Sequence, residues 1–129
     1  MATTSLARPG LAAHQEALRL PFPGLVKRLT KLIGRKLTAY AAGVQDTRAL
    51  DRWIDGVHPY GDKEQRLRLT FQVARTLADY DSPSTVQAWL LGVNPELGDR
   101  VPLALLREGE IEKVGAEVMA AARAFIAGG

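Results

Sequence analysis

Residues able to do chemistry are few in this 129-residue chain, and their spacing excludes more than it allows. The two histidines, His14 and His58, lie far apart with no carboxylate or thiol at ligand spacing. They read as surface or turn residues, because a metal or proton-transfer site needs a second and third partner at defined geometry. Ser5, Ser82 and Ser84 lack a nucleophile-elbow context, and Ser82, followed by Pro83, is explained as a helix cap. No Gly-x-x-x-x-Gly-Lys or Gly-x-Gly-x-x-Gly segment follows a strand, since no strand is predicted. Gly24, Gly34 and Gly43 read as helix punctuation. The sequence thus offers no catalytic constellation, no metal site and no cofactor motif.

The stretch KLTAYAAGVQDTRALDRWIDG, Lys36 to Gly56, carries a different chemistry, that of reading DNA. A helix-turn-helix needs two short helices joined by a tight turn, so that the second enters the major groove while the first braces it. Ala39 and Ala42 are small enough for close helix crossing, Gly43 makes the turn, and Leu50 and Trp53 anchor the second helix. Gln45, Thr47, Arg48 and Arg52, with Asp51, remain on the outer side. Arg and Gln make bidentate contacts to guanine and adenine edges. Lys27, Lys31, Arg35 and Lys36 are placed to neutralise phosphates. The candidate DNA-binding set is Lys31, Lys36, Thr38, Gln45, Thr47, Arg48 and Arg52. From Gly43 to the first inward residues the interval is about one residue longer than usual, which predicts a rotated or displaced reading helix.

Charge supports this division of labour. The net charge of +3 is split along the chain: Arg19 to Arg75 holds twelve Lys/Arg against five Asp/Glu, whereas Thr76 to Gly129 holds four against eight. A basic stretch facing an anionic partner and an acidic one with another task is the expected reading. With 47% hydrophobic and 24% charged residues, the balance is that of a globular protein. No window approaches the roughly 18 consecutive apolar residues of a membrane span. The opening MATTSLARPGLAAHQEALRL has no apolar run of a secretory signal, and there is no cysteine, so a cytoplasmic location is expected.

The elements that must position these residues are all helical, because apolar residues recur at spacings of three and four and β-branched alternation is absent. Residues 1 to 10 read as a frayed tail and Leu11 to Leu20 as a short helix ending before Pro21-Phe22-Pro23. Gly24 to Arg35 is a basic amphipathic helix with Leu25, Leu29, Leu32 and Ile33 inward. Thr38 is expected to cap a helix from Ala39 to Ala42, and Asp46 or Thr47 to cap one that ends at Gly56. Asp62 to Tyr80 is apolar over so wide an arc that it is expected to be the central helix. Ser82-Pro83 opens the next, and Gly92, Asn94-Pro95, Gly98, Pro102 and Gly109 then break the chain into very short segments. A terminal helix follows, with Ile111, Val114, Val118, Ala121 and Phe125 on one side and Ala116, Ala120, Ala124 and Ala127 on the other.

AAGVQDTRALDRWIDG in the first half, and WLLGVNPELGDRVPLALLREG followed by Val114 in the second, resemble the Xre/MbcA/ParS antitoxins. Members show a Trp-Leu helix end, an Asn-Pro-x-Leu-Gly turn, a Pro-x-x-Leu-Leu helix and a Gly before a terminal helix. Two positions depart from the pattern. Val101 precedes Pro102 where a small hydroxyl residue is common, and Asp99 follows Gly98 where a second glycine is frequent.

The resemblance covers about residues 25 to 127 and implies an all-α fold with an Xre-like helix-turn-helix region over 23–80 and a toxin-binding helical domain over 81–129; residues 1–22, which lie outside it, are expected to be an N-terminal extension, partly disordered. The resemblance implies an inhibitor rather than an enzyme. Such a protein covers the active site of a RES-domain, NAD-consuming toxin, represses its own operon, and forms a homodimer within a larger toxin-antitoxin assembly. Toxin contact is then expected at Glu96, Asp99, Arg100, Arg107, Glu108, Arg123, Gly128 and Gly129. The competing expectation is a solitary dimeric helix-turn-helix regulator with no toxin, since Leu103, Leu106, Val114 and Val118 suit a fold core, a homodimer or a toxin interface alike.

Overall fold

The computed structural model describes residues 9 to 128. Over these the chain is all-α, as expected: α1 (Leu11–Arg19), α2 (Phe22–Ile33), α3 (Arg35–Ala42), α4 (Arg48–Ile54), α5 (Lys63–Ala78), α6 (Pro83–Leu91), a single 3₁₀ turn (Pro95–Leu97), α7 (Pro102–Glu108) and α8 (Ile111–Gly128). Among the described residues no helix is long and apolar enough to cross a membrane.

The wide apolar arc of α5 explains its place. Leu67, Phe71, Val73, Ala74 and Leu77 are fully or almost fully buried, and α5 packs against α1, α2, α3, α6, α7 and α8. Thr70 and Thr76 lie inside as well. Their hydroxyls donate back to the carbonyls of Arg66 (2.8 Å) and Gln72 (2.6 Å), which removes the cost of burying an unpaired polar group. One contiguous core runs from Ala17 in α1 to Ala122 in α8, so both halves of the sequence share it.

Two boundaries differ from expectation. The helix predicted from Gly24 begins at Phe22, because Pro23 stands in the first turn, where a missing N–H costs nothing. It ends at Ile33 with Gly34 (φ 90°, ψ 162°) as the joint, and α3 then starts at Arg35 rather than Ala39. Thr38 is therefore inside a helix, not at its cap. It is fully buried, and its hydroxyl donates to the Gly34 carbonyl at 2.8 Å. The terminal helix is as the spacing predicts, with Val114, Val118 and Ala121 buried and the four alanines of its other side exposed. The predicted tail falls mostly on residues 1 to 8, outside the described residues, as does Gly129.

Candidate nucleic-acid and partner interfaces

Helices α3 and α4 form the expected pair, joined through residues 43 to 47. Gly43 takes the left-handed conformation (φ 82°, ψ 22°) that ends α3. The connection is longer than the three or four residues usual for the motif. Leu50 and Trp53 are buried, and Trp53 meets Phe22 of α2 at a ring-centroid distance of 6.1 Å, which fixes α4 against the basic helix.

The outer side of this pair carries Gln45, Arg48 and Arg52, all exposed, with Thr47 half-exposed between them. Lys31 on α2 and Lys36 on α3 are exposed too. Thr38 has to be withdrawn from the set: it is sealed in the core and its hydroxyl is already bonded, so no phosphate can reach it. Arg48 does not stand alone. Asp46 accepts from its backbone amide and its Nε, both at 2.8 Å, and this pairing holds the Asp46 carboxyl down at about 2. Arg35 is paired as well, donating to both carboxylate oxygens of Asp51 at 3.0 Å and to the Thr47 carbonyl at 3.1 Å. The start of α4 is thus braced by an arginine from the start of α3.

Much of the basic stretch serves the fold. Glu16 receives Arg28 (2.7 Å) and Arg75 (3.0 Å). Arg68 donates to the Ala17 and Leu20 carbonyls at the end of α1, at 2.7 and 2.9 Å. Arg66 reaches the Leu106 carbonyl in the last turn of α7 at 2.9 Å. Carbonyls at a helix end have no partner within the helix, so each of these guanidiniums closes a terminus. Among the described residues of the basic stretch, Arg19, Lys27, Lys31, Lys36, Arg52 and Lys63 are in no ion pair, and all of them except the half-buried Lys63 are exposed.

The segment from Trp89 to Gly109 is organised by Asn94. This residue is almost buried; its Oδ1 accepts from the Glu96 amide (2.9 Å), its carbonyl accepts from Leu97 and Asp99 (2.9 Å each), and its N–H donates to the Arg100 carbonyl (3.0 Å). Asp99 stands at φ 64°, immediately after Gly98, also at 64°. Helix α7 forms without a side-chain cap at Val101.

The residues expected at a toxin border several grooves. Glu96 and Gly128 border a groove of about 370 Å³ with Trp89, Val93, Ala124 and Phe125. Asp99, Arg100 and Glu108 border another, of about 430 Å³, and Arg100 lies 3.5 Å from Glu117. Arg123 lies against the start of the described chain, donating to the Pro9 carbonyl at 3.3 Å. Arg107 and Glu108 line a third cleft, of about 800 Å³, together with Lys36, Gln45 and Thr47 from the DNA-reading set. That meeting of the two sets had no local sequence signal, because the contact between Arg107 and Tyr40 that closes it spans 67 residues. The Asp46 bracket was legible in principle, as an acid two residues before the first residue of a helix. Among the described residues no group of three metal-ligating side chains occurs.

No family model and no curated protein matches the chain. Among solved structures, a chain from the M. tuberculosis MbcT-MbcA toxin-antitoxin complex is similar to it, with a TM-score of 0.61 and 27% identity. The likeness covers 78% of this chain and 92% of that one. The likeness thus reaches well beyond the Trp89 to Gly109 segment, over 78% of the chain, and supports an MbcA-like antitoxin.

Proposed function

We propose that the chain is an antitoxin, an inhibitor and regulator rather than an enzyme. It binds a cognate RES-type, NAD-consuming toxin, covers that toxin's active site, and represses its own operon through the α3–α4 pair. The observation that carries this reading is the likeness to the MbcT-MbcA complex, which spans nearly all of the matched chain at 27% identity. The Asn94-centred turn and the α7–α8 junction support it, since they give a physical role to the Asn and the final Gly of the antitoxin pattern. The exposed Gln45, Arg48 and Arg52 support the DNA-binding part, with Lys31 and Lys36 as phosphate contacts. Toxin contact is assigned to the acidic half, around Glu96, Asp99, Arg100, Glu108 and the end of α8. The chain acts in the cytoplasm, as a homodimer within the toxin complex, where exposed Ala116, Ala120, Ala124 and Ala127 admit a closely packed helix.

The test is co-expression with the protein encoded by the adjacent reading frame. That neighbour alone should arrest growth and deplete NAD, and this chain should restore both and copurify with it. A harmless neighbour that does not copurify sinks the antitoxin reading.

A further inference from the structure

We infer that Arg107 is a positioning residue for DNA reading, delivered to the helix-turn-helix from the acidic half; this rests on the DNA-binding part of the proposed function. Its Nη1 donates to the Tyr40 carbonyl at 2.9 Å, and its guanidinium carbon lies 4.5 Å from the centre of the Tyr40 ring. That carbonyl is the one that forms the turn, because it also accepts the Gly43 N–H at 3.0 Å, one bond away from where Val44 N–H closes on Ala39 at 3.1 Å. A cation on the last carbonyls of α3 is favourable both as a charge-assisted hydrogen bond and against the helix dipole. Arg107 therefore holds the residue from which Gln45, Thr47 and Arg48 are aimed. Arg35 holds the far side of the same turn through Thr47 and Asp51.

Arg107 is a poor toxin contact for the same reason. Its side chain is only 23% exposed and its guanidinium is engaged by the Tyr40 carbonyl and ring, while neighbouring Glu108 is 73% exposed and separated from it by 3.8 Å. The partner-facing member of the pair is Glu108. Losing Arg107 leaves the phosphate-directed lysines in place but frees the turn, so specific DNA binding should fall without loss of a phosphate contact.

The experiment measures binding of the full chain to a duplex from the region upstream of its own reading frame, as a salt titration, beside an unrelated duplex. Arg107→Ala should weaken the specific complex about tenfold, with the salt slope unchanged and copurification with the neighbouring protein retained. Arg107→Lys should recover part of the loss through its remaining donor, and Tyr40→Phe, which keeps carbonyl and ring, should bind as the parent does. Helical circular dichroism at the binding temperature establishes that each variant is folded. A slope reduced by about one would make Arg107 a phosphate contact and overturn the inference. So would an unchanged specific affinity, or loss of copurification, which would make it a toxin contact. A parent chain that does not distinguish the two duplexes overturns the DNA reading itself, and Arg107's role with it.

Discussion

Gly109 and Val114 approach so closely that no side chain fits between them: a Cβ on Gly109 would overlap Cγ1 of Val114 and lie 2.8 Å from the Leu105 carbonyl oxygen. The glycine's φ of −74° is open to any residue, so it is required by space rather than by backbone conformation. This places α8 hard against the end of α7. Gly109→Ala should destabilise the chain by about 1–3 kcal/mol, the usual cost of overpacking a filled site. Thermal unfolding should then begin several degrees lower. An unchanged midpoint would mean that the α7–α8 junction is not held by this contact.

Asp99 has the reverse problem. At φ 64° it occupies a left-handed conformation that costs an L-residue up to roughly 1–2 kcal/mol, less for aspartate, while glycine adopts it freely. The second glycine frequent here in the antitoxins that the sequence resembles thus has a backbone reason. Asp99→Gly should stabilise by about 0.5–1 kcal/mol, read as a higher urea midpoint with unchanged slope. Asp99→Val, branched at Cβ, should move the midpoint the other way.

Arg66 tests whether the basic stretch is partly internal scaffolding. Its side chain is 12% exposed and satisfies the Leu106 carbonyl as well as Asp62. Arg66→Ala leaves that carbonyl without its side-chain partner and should cost about 1–3 kcal/mol. Lys27→Ala, on the exposed face of α2, should stay within about 0.5 kcal/mol. Equal effects in chemical denaturation would refute the distinction.

These residues also mark how far the sequence could be read. The periodicity of α5 and α8 and the stops at Gly92, Gly98 and Gly109 were legible because helix faces and terminators are local properties. Charge was legible only as a sum. Arg66, Arg68 and Arg75 counted toward a DNA-facing surface, yet their partners Leu106, Ala17 and Glu16 lie 40 to 59 residues away, and only the fold brings them together. Thr38 was misplaced because an ordinary capping signal competes with a helix that starts four residues earlier, at the Gly34 joint.

Asp46 gives the sharpest test of the α4 surface. Its carboxylate brackets Arg48, the first residue of α4, and in the proposed DNA reading it puts a negative charge where a phosphate or base edge would approach. Asp46→Asn keeps an oxygen for the Arg48 amide but removes that charge, so DNA binding should strengthen several-fold, while Arg48→Ala with Arg52→Ala should abolish discrimination between specific and unrelated duplexes with the fold intact. Acidification should not imitate Asp46→Asn. A carboxyl depressed to about 2 stabilises the folded state above its unfolded pKa, and that contribution is lost only as pH falls through about 2. Between pH 7 and pH 5 Asp46 therefore stays charged and paired, and gel-shift affinity should show no rise on its account. If Asp46→Asn binds DNA no better than the parent at matched salt, Arg48 does not meet DNA and the reading surface lies elsewhere on the molecule.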